Sequence, residues 1–326
     1  MKITRRALLV GLGAGGVLAA CRGYDAPLAP IRPADAVPTP TTRVVVVNNA
    51  APAPAAAATG GPSPRSTQDP QAGQQAVEAF LKQQNGHFAV AARDFANQSN
   101  VEVAARDKFE LASLYKVFLM AEVMRRAAGG DLSLTDRVRT APDYSFGEPE
   151  GGVPPDTEVT VDQAIGAMIR VSSNGAALAL IAKVGGQALA AAPARFGMAD
   201  TTIDVQPGSD AGHYLVEAHG TARDLADFFL KLGRGGVVNS DLDARMAGYL
   251  LGQQIDDRLP ALLPPGTPIA HKTGDLDDLT HDAGIVYLTG RPYVVAALAQ
   301  DDAPAEGRAI VAEVSRILYG WYGGRS

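Results

Sequence analysis

Cysteine is almost absent from this chain: of 326 residues, only Cys21 is one. A single thiol excludes an intramolecular disulfide framework. The five histidines, His87, His213, His219, His271 and His281, show no metal-ligand spacing with that cysteine or with paired carboxylates, so neither a metal nor another cofactor is expected. No glycine-rich phosphate loop follows a predicted strand; Gly129-Gly130, Gly151-Gly152, Gly185-Gly186 and Gly235-Gly236 fall where turns are expected. Basic excess is lacking as well. The formal net charge is -6, which does not favour a nucleic-acid partner. A chain that is 46% hydrophobic and 20% charged is ordinary globular material, long enough for one large domain or two small ones.

What is present begins at the N-terminus. Lys2, Arg5 and Arg6 precede an apolar stretch from Ala7 to Ala20, too short for a comfortable transmembrane helix and suited to a signal peptide. Leu18-Ala19-Ala20-Cys21 looks like a bacterial lipobox, in which Cys21 is lipidated and becomes the mature N-terminus. Thr4-Arg5-Arg6-Ala7-Leu8-Leu9 resembles a twin-arginine export signal. From Arg22 to Pro70 the chain holds ten of its 22 prolines, with alanine runs and no useful helical or strand period. This stretch reads as a linker, spanning roughly 40 Å as coil and about 150 Å fully extended. Val44 to Val47 interrupts it as a short apolar run. The expected organisation is a signal peptide at 1–20, a lipidated cysteine and linker at 21–70, and a folded domain at 71–326. Such a protein is exported and tethered by its lipid to the membrane of the bacterial cell envelope, where it is expected to work as a monomer.

Within the folded part, three short motifs stand in one order: Ser113-Leu114-Tyr115-Lys116, Ser172-Ser173-Asn174 and Lys272-Thr273-Gly274. The first opens a helical pattern from Ala112 to Ala128, whose apolar positions Val117, Phe118, Met120, Ala121, Val123 and Met124 keep helical spacing. Ser113 and Lys116 therefore share a face. A serine hydroxyl needs a base to become a nucleophile at neutral pH, and a lysine amine serves if burial or a neighbouring cation, here Lys272, lowers its pKa. The helix start also leaves a backbone N–H free at Ser113, suited to an oxyanion. Each motif alone has a plainer reading, as a helix-start serine with a solvated lysine, an N-cap before Ala176–Val184, and the end of a strand. Their order and spacing, 59 residues from Ser113 to Ser172 and 159 from Ser113 to Lys272, favour a shared site.

Coarse periodicity predicts a helix at Gln74–Gln84, strands at Phe88–Ala92 and Val101–Ala104, and helical segments from Ser113 to about Leu259, clearest at Arg223–Leu232 and Leu242–Leu251. Strands return at Pro268–Lys272, Ala283–Leu288 and Val294–Ala299, before a last helix at Glu306–Tyr319. Strands at both ends of a helical middle imply an α+β fold in which first and last segments pair in one sheet, with the site where that sheet meets the helices.

With these motifs, and with Phe109-Glu110-Leu111-Ala112, Thr221-Ala222-Arg223-Asp224-Leu225-Ala226 and His281-Asp282-Ala283-Gly284-Ile285-Val286 around them, the chain resembles the penicillin-recognising serine hydrolases, most closely the class A β-lactamase-like branch. The resemblance runs from about Gln71 to Gly320. It implies a five-stranded antiparallel sheet flanked by helices, with a helical subdomain. It also implies that Ser113 is acylated, that Lys116 is its proton partner and that Ser172 passes a proton to the leaving nitrogen. Asn174 would bind the substrate amide and touch Lys116. Lys272, Thr273 and Gly274 would hold the substrate carboxylate, with an oxyanion hole from the backbone N–H groups of Ser113 and Asp275.

Two departures qualify what the resemblance implies. Class A enzymes carry a glutamate, with asparagine four residues on, between the second and third motifs, and this pair positions the deacylating water. The corresponding loop, Arg195 to Gly220, offers Asp200, Asp204, Asp210 and Glu217, none followed by asparagine at that spacing. Glu217 is the candidate substitute base. Glu148-Pro149-Glu150 looks like the missing segment but precedes Ser172, and is set aside. Without a positioned base, roughly 10²- to 10⁴-fold in rate is lost, so acylation is expected and release is expected to be slow. The second departure is Asp275, where the family has a small residue; its carboxylate either faces the site and opposes an anionic substrate or points to water. The expected activity is acyl-enzyme formation with β-lactams or related acyl-D-amino-acid amides. The alternatives are a D,D-peptidase acting on cell-wall peptides and a non-catalytic wall-binding lipoprotein.

The lipobox reading makes its own prediction. Cys21→Ser should abolish incorporation of a labelled fatty acid and move the protein out of the membrane fraction of expressing cells; a variant that keeps the label would rule the anchor out.

Overall fold

A computed structural model describes residues 71–96, 100–143, 147–208, 212–300 and 304–324. The expected signal peptide and linker, with Cys21 and the Val44–Val47 run, lie outside the described residues. In chain order the elements are α1 (Ala72–Leu81), β1 (His87–Asp94), β2 (Asn100–Val103), β3 (Phe109–Glu110), a 3₁₀ turn (Ala112–Tyr115), α2 (Lys116–Gly129), β4 (Arg137–Arg139), β5 (Glu158–Thr160), α3 (Val161–Arg170) and α4 (Asn174–Val184). There follow α5 (Gly186–Ala190), α6 (Ala192–Phe196), β6 (Thr202–Pro207), β7 (Tyr214–Gly220), α7 (Ala222–Gly233), α8 (Ser240–Leu251), β8 (Ile269–Leu276), β9 (Leu279–Val286), β10 (Tyr293–Gln300) and α9 (Pro304–Trp321).

The expected α+β architecture is realised. One five-stranded sheet runs in the order β2-β1-β10-β9-β8, each neighbour antiparallel, so the first strands pair with the last. Alternate side chains of its strands go to opposite faces. Phe88, Val90, Ala92, Val295 and Ala297 pack on one face with Val77 of α1 and Val311, Val314 and Leu318 of α9. Ala89, Ala91, Ala296, Leu298 and Ile285 pack on the other, in a core that continues through α7 and α2 into the helical region. Burial on both faces explains why these strands read as unbroken apolar runs rather than as alternation.

Helix α2 is buried on all sides from Lys116 to Met124, and this makes it the axis of the helical region. Its one acidic member there, Glu122, is fully buried and neutralised by Arg125, Arg126 and Arg195, with Arg195 Nη1 donating at 2.8 Å from α6. Helix α3 starts on a reciprocal capping box between Thr160 and Gln163.

One stretch departs from expectation. Arg195–Gly220, read as a loop, holds the end of α6 and a hairpin in which β6 pairs with β7 from Thr202↔His219 to Pro207↔Tyr214. A period-two signal was present in the alternation of exposed Thr202 and Asp204 with inward Ile203 and Val205, and again in Val216 and Ala218. Polar residues on the solvent face and Pro207-Gly208 at the turn masked it. The short β4–β5 pair was also unforeseen.

Phe228 of α7 meets Phe118, Phe196 and Phe229 edge-on, with ring centroids 5.0, 6.4 and 5.8 Å away. Phe228→Ala should therefore lower stability by about 3–5 kcal/mol, read as a reduced urea midpoint at unchanged slope.

Candidate active site

Ser113 lies in the 3₁₀ turn that leads into α2, and Lys116 is the first residue of that helix. In 3₁₀ geometry residues i and i+3 stand on one side, which sets the serine and lysine on a common face. The turn is entered through Ala112 in the left-handed region, at φ 46°, a conformation that costs a non-glycine residue on the order of 1 kcal/mol or more. Ser172 is left-handed too, at φ 62°. Both motif serines thus sit at or beside backbone that the fold must hold in place.

Lys116 is fully buried, and its ammonium is ringed by acceptors: Nζ donates to Ser172 O at 2.7 Å, to Asn174 Oδ1 at 2.9 Å and to Ser172 Oγ at 3.2 Å. Lys272 of β8 reaches the same hydroxyl, donating to Ser172 Oγ at 3.0 Å and to Thr273 O at 2.7 Å. Burial brings the Lys116 amine down to about 7, against the opposing pull of the Glu148 carboxylate. Lys272 is held well below the ordinary lysine range by burial and then by the charge of Lys116. The structure therefore brings Lys116, Ser172, Asn174 and Lys272 together in one hydrogen-bonded cluster, one 3₁₀ turn from Ser113.

The third motif reaches this cluster because β8 is the sheet's edge strand, so its outer side is free to face the Ser113 turn. Gly274 permits the approach. A Cβ there would meet Leu111 O at 2.9 Å, the Leu114 side chain at 3.3 Å and Ala112 Cβ at 3.4 Å. Behind it, His281 ties β9 to the strand before the turn. Its Nδ1 accepts from Ala299 N at 3.2 Å, so Nε2 carries the proton and donates to Glu110 O at 2.8 Å. Burial holds His281 at about 4 and hence neutral.

Asp275 is partly exposed. Its carboxylate is ion-paired, with Oδ2 2.7 Å from Arg258 Nη2 and Oδ1 3.4 Å from Arg308 Nη2. Arg258 is almost wholly buried, donates Nη1 to His281 O at 3.1 Å, and has Asp257 Oδ1 3.0 Å from Nε without the alignment of a hydrogen bond. The charge of Asp275 is thereby compensated within the protein. On the far side of β8, His271 Nδ1 bonds Asp282 at 2.9 Å. Burial alone would lower His271, but the Asp282 and Asp256 carboxylates outweigh it and hold it at about 9.

Glu217 is not brought into the cluster. It is exposed on β7 opposite Asp204, and among the described residues it makes no hydrogen bond to Ser113, Lys116 or Ser172. Glu148, set aside on sequence, sits at the cluster instead. Its Oε2 accepts from Asn174 N at 3.1 Å and Gly175 N at 2.9 Å, and its Oε1 from Val153 N at 3.1 Å. Arg258 was missed outright, since Asp256-Asp257-Arg258 reads as surface charge and nothing local marks its burial.

A family model described as the beta-lactamase enzyme family matches residues 73–322. The chain belongs to that family. A β-lactamase of Streptomyces fradiae is 27% identical over 265 residues, 74% of this chain and 83% of that one. The extended-spectrum β-lactamase PER-1 of Pseudomonas aeruginosa is 40% identical over 72 residues, 19% of this chain and 23% of PER-1. Among solved structures, PBP-A superposes with a TM-score of 0.68 at 25% identity, over 76% of this chain and 94% of PBP-A. A β-lactamase from Sphaerobacter thermophilus gives 0.69 at 23% identity, over 78% and 97%. The protein is thus a serine hydrolase of the β-lactamase-like type, with the family's sheet and helices.

The Asp275–Arg258 pair predicts a stability effect. Asp275→Asn leaves a buried guanidinium short of its nearest carboxylate and should cost about 1–3 kcal/mol, seen as a lower urea midpoint; an unchanged midpoint would show the pair to be dispensable.

Proposed function

We propose that the protein is a serine acyl-enzyme hydrolase that reacts with β-lactams or related acyl-D-amino-acid amides through Ser113 and releases the acyl group slowly. The observation that carries this is Lys116, buried and lowered to about 7 while bound to Ser172 and Asn174. A lysine neutral at working pH can accept the Ser113 hydroxyl proton as Oγ attacks the carbonyl carbon. The carbonyl oxygen gains the charge, and the backbone N–H groups of Ser113 and Asp275 are proposed to receive it. When the carbon–nitrogen bond breaks, Ser172 gives its proton to the leaving nitrogen and is resupplied from the lysine pair that shares its oxygen. Asn174 binds the substrate amide, while Lys272, Thr273 and Gly274 line the place for its carboxylate.

Release needs an activated water. The loop that carries the glutamate and asparagine in class A enzymes is here a hairpin with Glu217 exposed on it, which favours slow deacylation. This also favours a D,D-peptidase or penicillin-binding role as the second reading. The likeness to PBP-A, of which a mutant is described as an acyl-enzyme complex with penicillin G, points the same way. The cell-envelope location rests on the N-terminal sequence and places the domain near cell-wall peptides.

A fluorescent penicillin should label the protein and not Ser113→Ala, with Lys116→Ala slower by roughly 10²- to 10⁴-fold. Because the base must be unprotonated, the labelling rate should rise through pH about 7 and fall about tenfold per unit below it. Labelling of Ser113→Ala, or a flat rate from acid to alkaline pH, would sink this mechanism. Steady-state hydrolysis of a chromogenic cephalosporin should be slow, and Glu217→Gln should leave it unchanged.

A further inference from the structure

The first turn of α4 carries two of the proposed site residues next to it or in it, Ser172 and Asn174, and its free N–H groups are fully accounted for. Ser173 caps the helix through Oγ, accepting from Ala176 N at 3.1 Å, and Ser173 O accepts from Ala177 N at 3.3 Å. The two remaining donors, Asn174 N and Gly175 N, go to Glu148 Oε2. A carboxylate at this position also meets the positive end of the helix. The neighbouring residue Gly147 accepts from Asn174 Nδ2 at 3.3 Å, which fixes the side-chain amide with Oδ1 toward Lys116. One short segment, Gly147-Glu148, therefore holds both the backbone and the side chain of Asn174.

Gly152 is shaped to this carboxylate. A Cβ at Gly152 would lie 1.9 Å from Glu148 Oε1 and 2.6 Å from its Cδ, so any larger residue displaces a side chain that three N–H groups hold.

We propose that Glu148 is the positioning carboxylate of this site, holding Asn174 against Lys116 and supplying the negative charge that Lys116 faces. This rests on the proposed role of Lys116 as base. Among the described residues, the charged groups facing Lys116 are Lys272 from β8 and Glu148 from the loop before α4; Ser172 and Asn174 are neutral. Glu148 opposes the effect of burial on Lys116, so removing its charge makes Lys116 lose its proton at lower pH.

The test combines an NMR titration of the Lys116 ε-methylene with the pH profile of fluorescent penicillin labelling, on wild type, Glu148→Gln and Gly152→Ala, each checked for cooperative unfolding. In Glu148→Gln the Lys116 titration and the acid limb of labelling should both move to lower pH by about half a unit or more, and the labelling plateau should fall about tenfold to a hundredfold through misplacement of Asn174. Gly152→Ala keeps the charge but displaces the carboxylate, and its plateau should also fall. A folded Glu148→Gln protein whose Lys116 titration is unmoved would overturn the inference, as would an unchanged plateau in both variants. Absence of any Ser113-dependent adduct in wild type, with the Lys116 titration still moving in Glu148→Gln, would instead overturn the proposed function and leave the electrostatic part of this inference standing.

Discussion

Two lysines, Lys116 and Lys272, are fully buried within hydrogen-bond reach of the single hydroxyl of Ser172. Burial takes both amines out of water and lowers them, and the charge of Lys116 lowers Lys272 further, so their titrations belong to the pair. Everything around the cluster serves this constraint. Carbonyl and amide oxygens take the ammonium protons, a left-handed residue at Ser172 turns its carbonyl toward Lys116, and the edge strand β8 is drawn against the Ser113 turn at Gly274. In the proposed chemistry the burial of Lys116 is what makes it available as a base near neutral pH.

Charged groups beyond the two lysines also act on Lys272. Arg258 would add a third buried cation beside β8, but Asp275 and Asp257 accompany it. Asp282 is fully buried on β9, where it accepts from His271 Nδ1 and Leu259 N. His281, between the sheet and the Ser113 turn, stays neutral through burial and spends both ring nitrogens on backbone partners. Arg258 adds to the lowering of Lys272 while Asp282 and Asp275 oppose it, and Glu148 opposes the lowering of Lys116.

Much of this was legible in the sequence because the signal was local or periodic. The apolar runs of β1 and β10, the helical spacing after Lys116 and the three motifs all lie in contiguous text, and the family resemblance supplied their pairing. What escaped is non-local. Glu148 lies 26 residues before Asn174, in a Gly- and Pro-containing segment whose composition indicates only a loop. Arg258 is recognisable as buried only once β8 and β9 are assembled against it. The direction of the Asp275 carboxylate could not be assigned for the same reason, since its partners Arg258 and Arg308 come from distant positions. The β6–β7 hairpin shows the opposite failure: its alternation was present, but a half-exposed strand pair resembles polar loop text.

The most direct measurement is intact-protein mass spectrometry after a pulse of penicillin G and removal of free drug. The proposed mechanism predicts a mass increase of one penicillin, mapped to the peptide carrying Ser113 and persisting for minutes or longer. An adduct on another residue, or one on Ser113 that disappears as fast as the drug is removed, would contradict it.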